Sequence, residues 1–348
     1  MESEDRDAKD IPWYRIPVPR EDLRQFTQKS DFRGWIQACS FLLIFLATTS
    51  IAFYFFWMKM WAAMVIACYL HSLFHQMIGM SAAVHELNHG TVFKTRRINE
   101  FFYKLFCFLT WNNPVHFRAS HQLHHQYTVY RNLDKEVVQE PAKKTMNWVN
   151  YVSWLTFDFK WFWTLVSTNF LHVIGKGNVD FFSWNPLFAG TDPRRKKMIR
   201  WARCALFSYV ALTAVFAVLH LWVLIYIVIF GNFFATILGR LTSAIQHTGL
   251  KEDTPDWRLV CHTVKVNPLI GFLYWNMNYH IEHHMYAAVP WYNLSRFHKA
   301  IEKDLPVGPK SFIGGLRLIL SIKKKQKVNP DFIYVPEFPE TAAPPRLG

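Results

Sequence analysis

Eight of the 16 histidines in this 348-residue chain fall in three clusters: His85 and His89 in HELNH, His121, His124 and His125 in HQLHH, and His280, His283 and His284 in HIEHH. On a helix, residues three or four apart share a face. His85 and His89 therefore point together, and each HxxHH sets three imidazoles within an arc of about 100°. Pro114 after Asn113 supplies a helix start for the second cluster. A single pair at this spacing is more often explained by hydrogen-bonded core histidines. Three clusters are different: converging imidazoles repel one another if protonated and waste hydrogen-bonding capacity if neutral, unless cations organise them. Imidazole suits iron, copper, zinc and nickel, and eight or nine ligands are enough for two ions.

The other histidines carry less. His116 falls about 140° from the ligand face of a regular helix and is read as non-ligating. His71 and His75, four apart inside an apolar run, either bond across helices or line the deep end of a tunnel, with the structural role preferred. His172, His220, His262 and His298 carry no convincing signal. Glu86 and Glu282 are candidates for orienting metal-bound imidazoles, as carboxylates do. Asn276, on the helical face of the third cluster, is a candidate to bond a metal-bound water.

Two rivals use the same residues. HELNH matches HExxH, in which two histidines hold zinc and Glu86 is the general base of a peptidase. That reading leaves six clustered histidines unexplained, and Leu133-Asp134 is followed by Lys135 rather than the Gly expected of an intramembrane metalloprotease. A metal transporter places its ligands inside the spans near the bilayer midplane, whereas these clusters flank the apolar runs.

The elements that must position the histidines are membrane helices. Hydrophobic residues make up 51% of the chain and charged residues 18%, a balance that favours a membrane protein over a cytosolic enzyme. Residues 34–58 and 60–84 carry no Asp, Glu, Lys or Arg apart from the Lys59 between them, and about 20 helical residues cross a bilayer. Residues 204–239 are likewise free of these charges. As one helix they would reach about 54 Å, so two crossings, 204–219 and 221–239, turning near His220, fit better. Phe101 to Asn113 and Trp148 to Val173 read as interfacial or re-entrant helices, the latter because of Asp158 and Lys160. Trp61, Trp111 and Trp275 are interfacial anchors or tunnel walls.

The expected fold is all-α and integral to the membrane: four transmembrane helices in two hairpins, with a cytoplasmic helical cap holding a di-metal site. The domain spans 34–328, between a cytoplasmic arm 1–33 and a proline-rich tail 329–348. The start Met1-Glu2-Ser3-Glu4-Asp5 has no adjacent apolar core and is not read as a cleaved signal peptide. The net charge of +14 gathers beside apolar runs, at Arg194 to Lys197 and Lys323 to Lys325. That placement points to lipid headgroups and a cytoplasmic side, not to nucleic acid. Five cysteines without CxxC spacing imply neither a disulfide framework nor a zinc ribbon.

The order HxxxH, HxxHH, HxxHH, with hydrophobic hairpins between, resembles the membrane fatty acid desaturase and hydroxylase family over about Gly34 to His298. The stretch NMNYHIEHHMYAAVPWYNL, Asn276 to Leu294, looks typical of it. The resemblance implies two Fe ions, O2 as co-substrate, and the eight cluster histidines as metal ligands. It also implies a further ligand after the fourth span, for which His247 in Gln246-His247-Thr248-Gly249 is the candidate. The expected function is a desaturase acting on a fatty acyl or related lipid chain, preferred over a lipid or isoprenoid hydroxylase on the same core. The expected location is the endoplasmic reticulum of a eukaryote or the inner membrane of a bacterium. With no HPGG haem motif, GxGxxG fingerprint or iron–sulfur cysteine set in the chain, electrons are expected from a separate donor, cytochrome b5 or ferredoxin with its reductase.

Overall fold

A computed structural model of the chain describes residues 10–131, 133, 134, 136, 137, 147–176, 187, 188 and 191–347. The acidic start Met1 to Asp5 and Lys135 lie outside these residues. Among the described residues the regular structure is helical, with only isolated β-bridges. The five cysteines are free.

Three helical segments are long and apolar enough to cross a membrane: Arg20–Trp57, Trp61–Asn88 and Pro193–Val218. They turn apolar side chains outward, among them Leu43, Tyr54, Val65, Leu70, Phe207 and Val215. A soluble protein rarely exposes such a continuous apolar surface, and the chain is associated with a membrane. Asp31–Trp57 starts at Ser30, whose side chain accepts from the Arg33 amide, and turns back at Lys59, which adopts a positive φ of 56°. The partner helix Trp61–Ile78 ends earlier than the expected 84. A turn at Gly79 to Ala82 then breaks the chain before the short helix Ala83–Asn88. The first histidine cluster thus sits on its own element and can tilt away from the long helix.

The turn expected near His220 is present: Pro193–Val218 ends there and His220 has φ 57°. The run that follows is not the continuous helix expected over 221–239. Residues Trp222–Phe233 form an α turn, a π-helical stretch Ile225–Phe230 and a 3-10 turn Gly231–Phe233. A regular helix, Ile237–His247, resumes after Ala235 at φ 47°. Leaving α geometry frees backbone groups that must find partners inside an apolar environment. They do: Trp111 Nε1 donates to Ile229 O at 2.7 Å, Gln76 Nε2 to Asn232 O at 2.7 Å, and the Asp158 amide to Phe233 O at 2.8 Å.

Asp158, the charge inside the expected 148–173 helix, divides it into Trp148–Leu155 and Phe159–Val173. Its carboxylate caps the second piece by accepting from the Trp161 amide, and it pairs with Arg240 at 2.7 Å. Trp111 and Trp275 are buried in the core, and Trp61 stands exposed at a helix start.

Described residues of the N-terminal arm and of the tail pack against the histidine-bearing half. In the N-terminal arm, the Tyr14 amide donates to Pro255 O at 2.8 Å, and Ile16 packs beside Met285. In the tail, the Tyr334 amide donates to Gly249 O at 2.8 Å, and the carbonyls of Ala343 and Pro344 accept from the buried guanidinium of Arg258.

Candidate metal centre

Four elements bring the histidines together. His85 lies on Ala83–Asn88, with His89 as its C-cap. The second cluster lies on Pro114–Tyr127, whose start is set by Pro114 in the first turn and by the Asn113 side chain accepting from the Val115 and His116 amides. The third lies on the six-residue helix His280–Met285, and His247 ends Ile237–His247.

These nine side chains form two groups, His85, His89, His121, His125 and His283 in one and His124, His247, His280 and His284 in the other, and within each the potential ligand atoms lie within 4.8 Å of one another. The second and third clusters are each split between the groups. Their i, i+4 pairs, His121 with His125 and His280 with His284, stay together, while His124 and His283 cross over. The groups abut where the His125 and His284 rings stack at 4.2 Å.

The Nε2 atoms turn inward. His85 and His283 meet through Nε2 at 3.0 Å, His121 meets His89 at 3.0 Å and His125 at 3.1 Å, and His280 meets His247 at 2.9 Å and His284 at 3.1 Å. Several Nδ1 atoms turn outward to acceptors. His124 Nδ1 is 2.9 Å from Asp134, His121 Nδ1 is 2.8 Å from Glu136, and His247 Nδ1 donates to Val260 O at 2.8 Å. A carbonyl only accepts, so the His247 proton sits on Nδ1 and its Nε2 presents a lone pair. Neutral imidazoles with inward lone pairs at 3 Å spacing are a donor set for cations.

Burial sets the protonation. It holds His121, His125, His280 and His284 well below the ordinary imidazole value, with neighbouring histidines adding to it, and places His247 and His283 at about 3. His124 is the exception: burial opposes its charge, but the charge and hydrogen bond of Asp134 together with the charge of Glu136 raise it.

Of the carboxylates expected to orient imidazoles, Glu86 lies 3.3 Å from His283 Nδ1. Glu282 instead contacts His298 and Thr263, bracing the third helix, and Asn276 donates to Trp291 O at 3.1 Å. Asp134 and Glu136, which sequence reasoning missed, hold His124 and His121. Their one signal is position: they are the first acidic residues after HQLHH. His116 stands outside both groups, its ring 4.8 Å from that of His172. His71 Nδ1 bonds Thr48 Oγ1 at 2.8 Å and His75 Nε2 bonds Leu109 O at 3.0 Å, the cross-helix role expected of them.

A cavity of about 600 Å³ borders both groups, reaching His85 in one and His124 and His247 in the other. Apolar side chains of Met80, Phe117, Trp161, Leu316 and Ile319 share its wall with Gln76, Asn112 and Asn232. Its size lies within the range of about 300–1,000 Å³ usual for ligand pockets.

The family model for fatty acid desaturase matches residues 59–313, a stretch that contains all nine histidines. No curated protein matches the chain.

Proposed function

This chain belongs to the fatty acid desaturase family, and from that premise we propose that it is an O2-dependent di-iron desaturase that places a double bond in a fatty acyl or related lipid chain. The observation that carries this reading is one cavity walled by members of both histidine groups. His85, His89, His121, His125 and His283 would hold one ion, and His124, His247, His280 and His284 the other. Nine imidazoles, seven of them buried and two half-buried, fit two such ions. When bound, the ions supply the activation of O2 needed to remove hydrogen from an unactivated carbon.

The protein's own part is placement. Asp134, Glu136 and the Val260 carbonyl fix the outward nitrogens of His124, His121 and His247, keeping the inward nitrogens available as donors. Glu86 contributes only proximity to His283, 3.3 Å from its Nδ1 with no hydrogen bond between them. It is fully buried and absent from the cavity wall, which argues against a peptidase base. The apolar wall excludes water and aligns an acyl chain so that one carbon meets the metal-bearing end.

In the membrane, four crossings serve this arrangement, the fourth being the interrupted run over 221–239. The cap lies on the cytoplasmic side, where the basic turns at Arg194 and Lys323 meet headgroups. The compartment is the endoplasmic reticulum or a bacterial inner membrane. Electrons come from a separate carrier, cytochrome b5 or ferredoxin with its reductase.

Metal analysis and product mass spectrometry on protein purified from membranes test the proposal, with an electron donor, oxygen and a lipid extract supplied. The expected result is two irons per chain and a product lighter by two hydrogens. An added oxygen atom reassigns the chain as a hydroxylase, and one zinc without oxygen uptake sinks the oxidative reading.

A further inference from the structure

An electron from an outside carrier must cross the shell around the histidines, and beside the four-histidine group that shell contains two stacked indoles. The His284 ring lies 5.3 Å from the ring of Trp257, which is buried. The Trp257 ring stacks on Trp13, with 3.6 Å between ring centroids and 8° between planes. Trp13 is half-buried, meets the Tyr130 ring edge-on at 5.7 Å, and donates through Nε1 to the carbonyl of exposed Gln126. Among the described residues, the other non-histidine ring beside a clustered histidine is Phe117, stacked 5.3 Å from His121, and it faces the cavity.

The neighbours of the two tryptophans lock this alignment. Tyr14 bonds Pro255 through the backbone, and the Arg258 guanidinium lies 4.1 Å over the Tyr14 ring while paired with Asp256 at 2.8 Å. Exposed Arg15 and Arg346 stand over the rings of Tyr286 and Tyr14, adding positive charge near the outer indole. Such charge complements an acidic carrier.

We propose that Trp13 and Trp257 are the entry route by which electrons from a haem or iron–sulfur carrier reach the four-histidine group through His284. Tunnelling falls steeply with distance across gaps, and parallel π faces in contact couple better than saturated side chains. In each passage one electron leaves the reduced carrier and ends on a ferric ion. The indoles undergo no net oxidation or reduction, and no covalent bond forms or breaks. This route rests on the di-iron reading.

The test mixes ferric, iron-loaded protein anaerobically with reduced cytochrome b5 or ferredoxin and follows the carrier's own absorbance, with dithionite as a small reductant in parallel. Trp257→Leu is expected to slow carrier oxidation by tenfold or more and Trp257→Phe by less, while iron content, carrier affinity and the dithionite rate stay at wild-type values. An unchanged carrier rate in Trp257→Leu overturns the route, as does a slowing shared by dithionite. Should Trp257→Leu lose iron, Trp13→Leu, one ring farther from His284, decides by the same criteria. A wild-type protein that takes no electrons from dithionite refutes the di-iron reading itself, and with it the route.

Discussion

The Asp134 carboxylate lies 2.9 Å from His124 Nδ1, with both side chains buried, and it also accepts the Val129 amide at 2.7 Å and the Glu136 amide at 2.8 Å. The loop after HQLHH is therefore folded around the acid that fixes one imidazole. Carboxylates in this position raise ligand basicity, and their loss costs about 10–100-fold in metal affinity or activity. Asp134→Asn keeps the shape and removes the charge. Iron titration and turnover should both fall within that range, and a variant with wild-type values in both would falsify the assignment.

How much of this was legible in the sequence depends on how local each feature is. The i, i+3 and i+4 spacing of His121, His124 and His125 is a helical period, so their shared face could be read directly. The division that sends His124 to one group and His121 and His125 to the other depends on where His247 and His283 arrive, which no local spacing encodes. The turn at His220 followed from length alone. The π-helical stretch and the 3-10 turn that follows it did not, because the carbonyls of Ile229, Asn232 and Phe233 are satisfied by Trp111, Gln76 and Asp158 from distant parts of the chain. Glu282 is expected from the sequence to orient a metal-bound imidazole, yet its contacts are His298, outside both groups, and Thr263. On so short a helix, one residue of rotation moves a side chain from the site to its support.

The crossed arrangement makes a specific forecast for single-ligand variants. His124 belongs to the four-histidine group and His283 to the five-histidine group. His124→Ala and His283→Ala should each lower iron from two per chain toward one and abolish turnover, with the remaining ion in different surroundings. Metal content and the spectrum of the residual iron check this. Identical residual spectra would contradict the two-group division.

Gly239 tests the cavity. It lines the wall, and a Cβ placed there would lie 3.1 Å from Ser81 Oγ and 3.4 Å from Gln76 Cβ. Gly239→Val narrows the cavity at a point that holds no histidine. Conversion of long acyl chains should fall several-fold relative to shorter ones at unchanged iron content, measured by competition between chain lengths. An unaltered chain-length profile would remove this cavity from the substrate path.

Acid should destabilise the protein, because burial holds down more imidazoles than it holds up carboxyls: Glu136, pushed up to about 8 by burial, acts in the opposite direction and is outnumbered by the buried histidines. His262, bonded through Nε2 to Thr248 O at 3.0 Å, is pushed down to about 4 by burial, and burial places His247 and His283 at about 3. In the unfolded chain each returns to about 6.5. Between those values the unfolded state binds protons that the folded state refuses, so stability rises with pH. The contribution is fully present above about pH 6.5 and is lost progressively as pH falls through the window toward 4 and then 3. Bound metal acts in the same direction, because protons compete for the same nitrogens. Chelator-treated protein in detergent should therefore unfold at progressively lower temperature between pH 7 and pH 5. His262→Gln should show a shallower dependence, since it removes one of the titrating groups without touching either histidine group. A midpoint that stays level across this interval would mean that these imidazoles are not held neutral by burial, and the lone-pair argument for two cation sites would lose its footing.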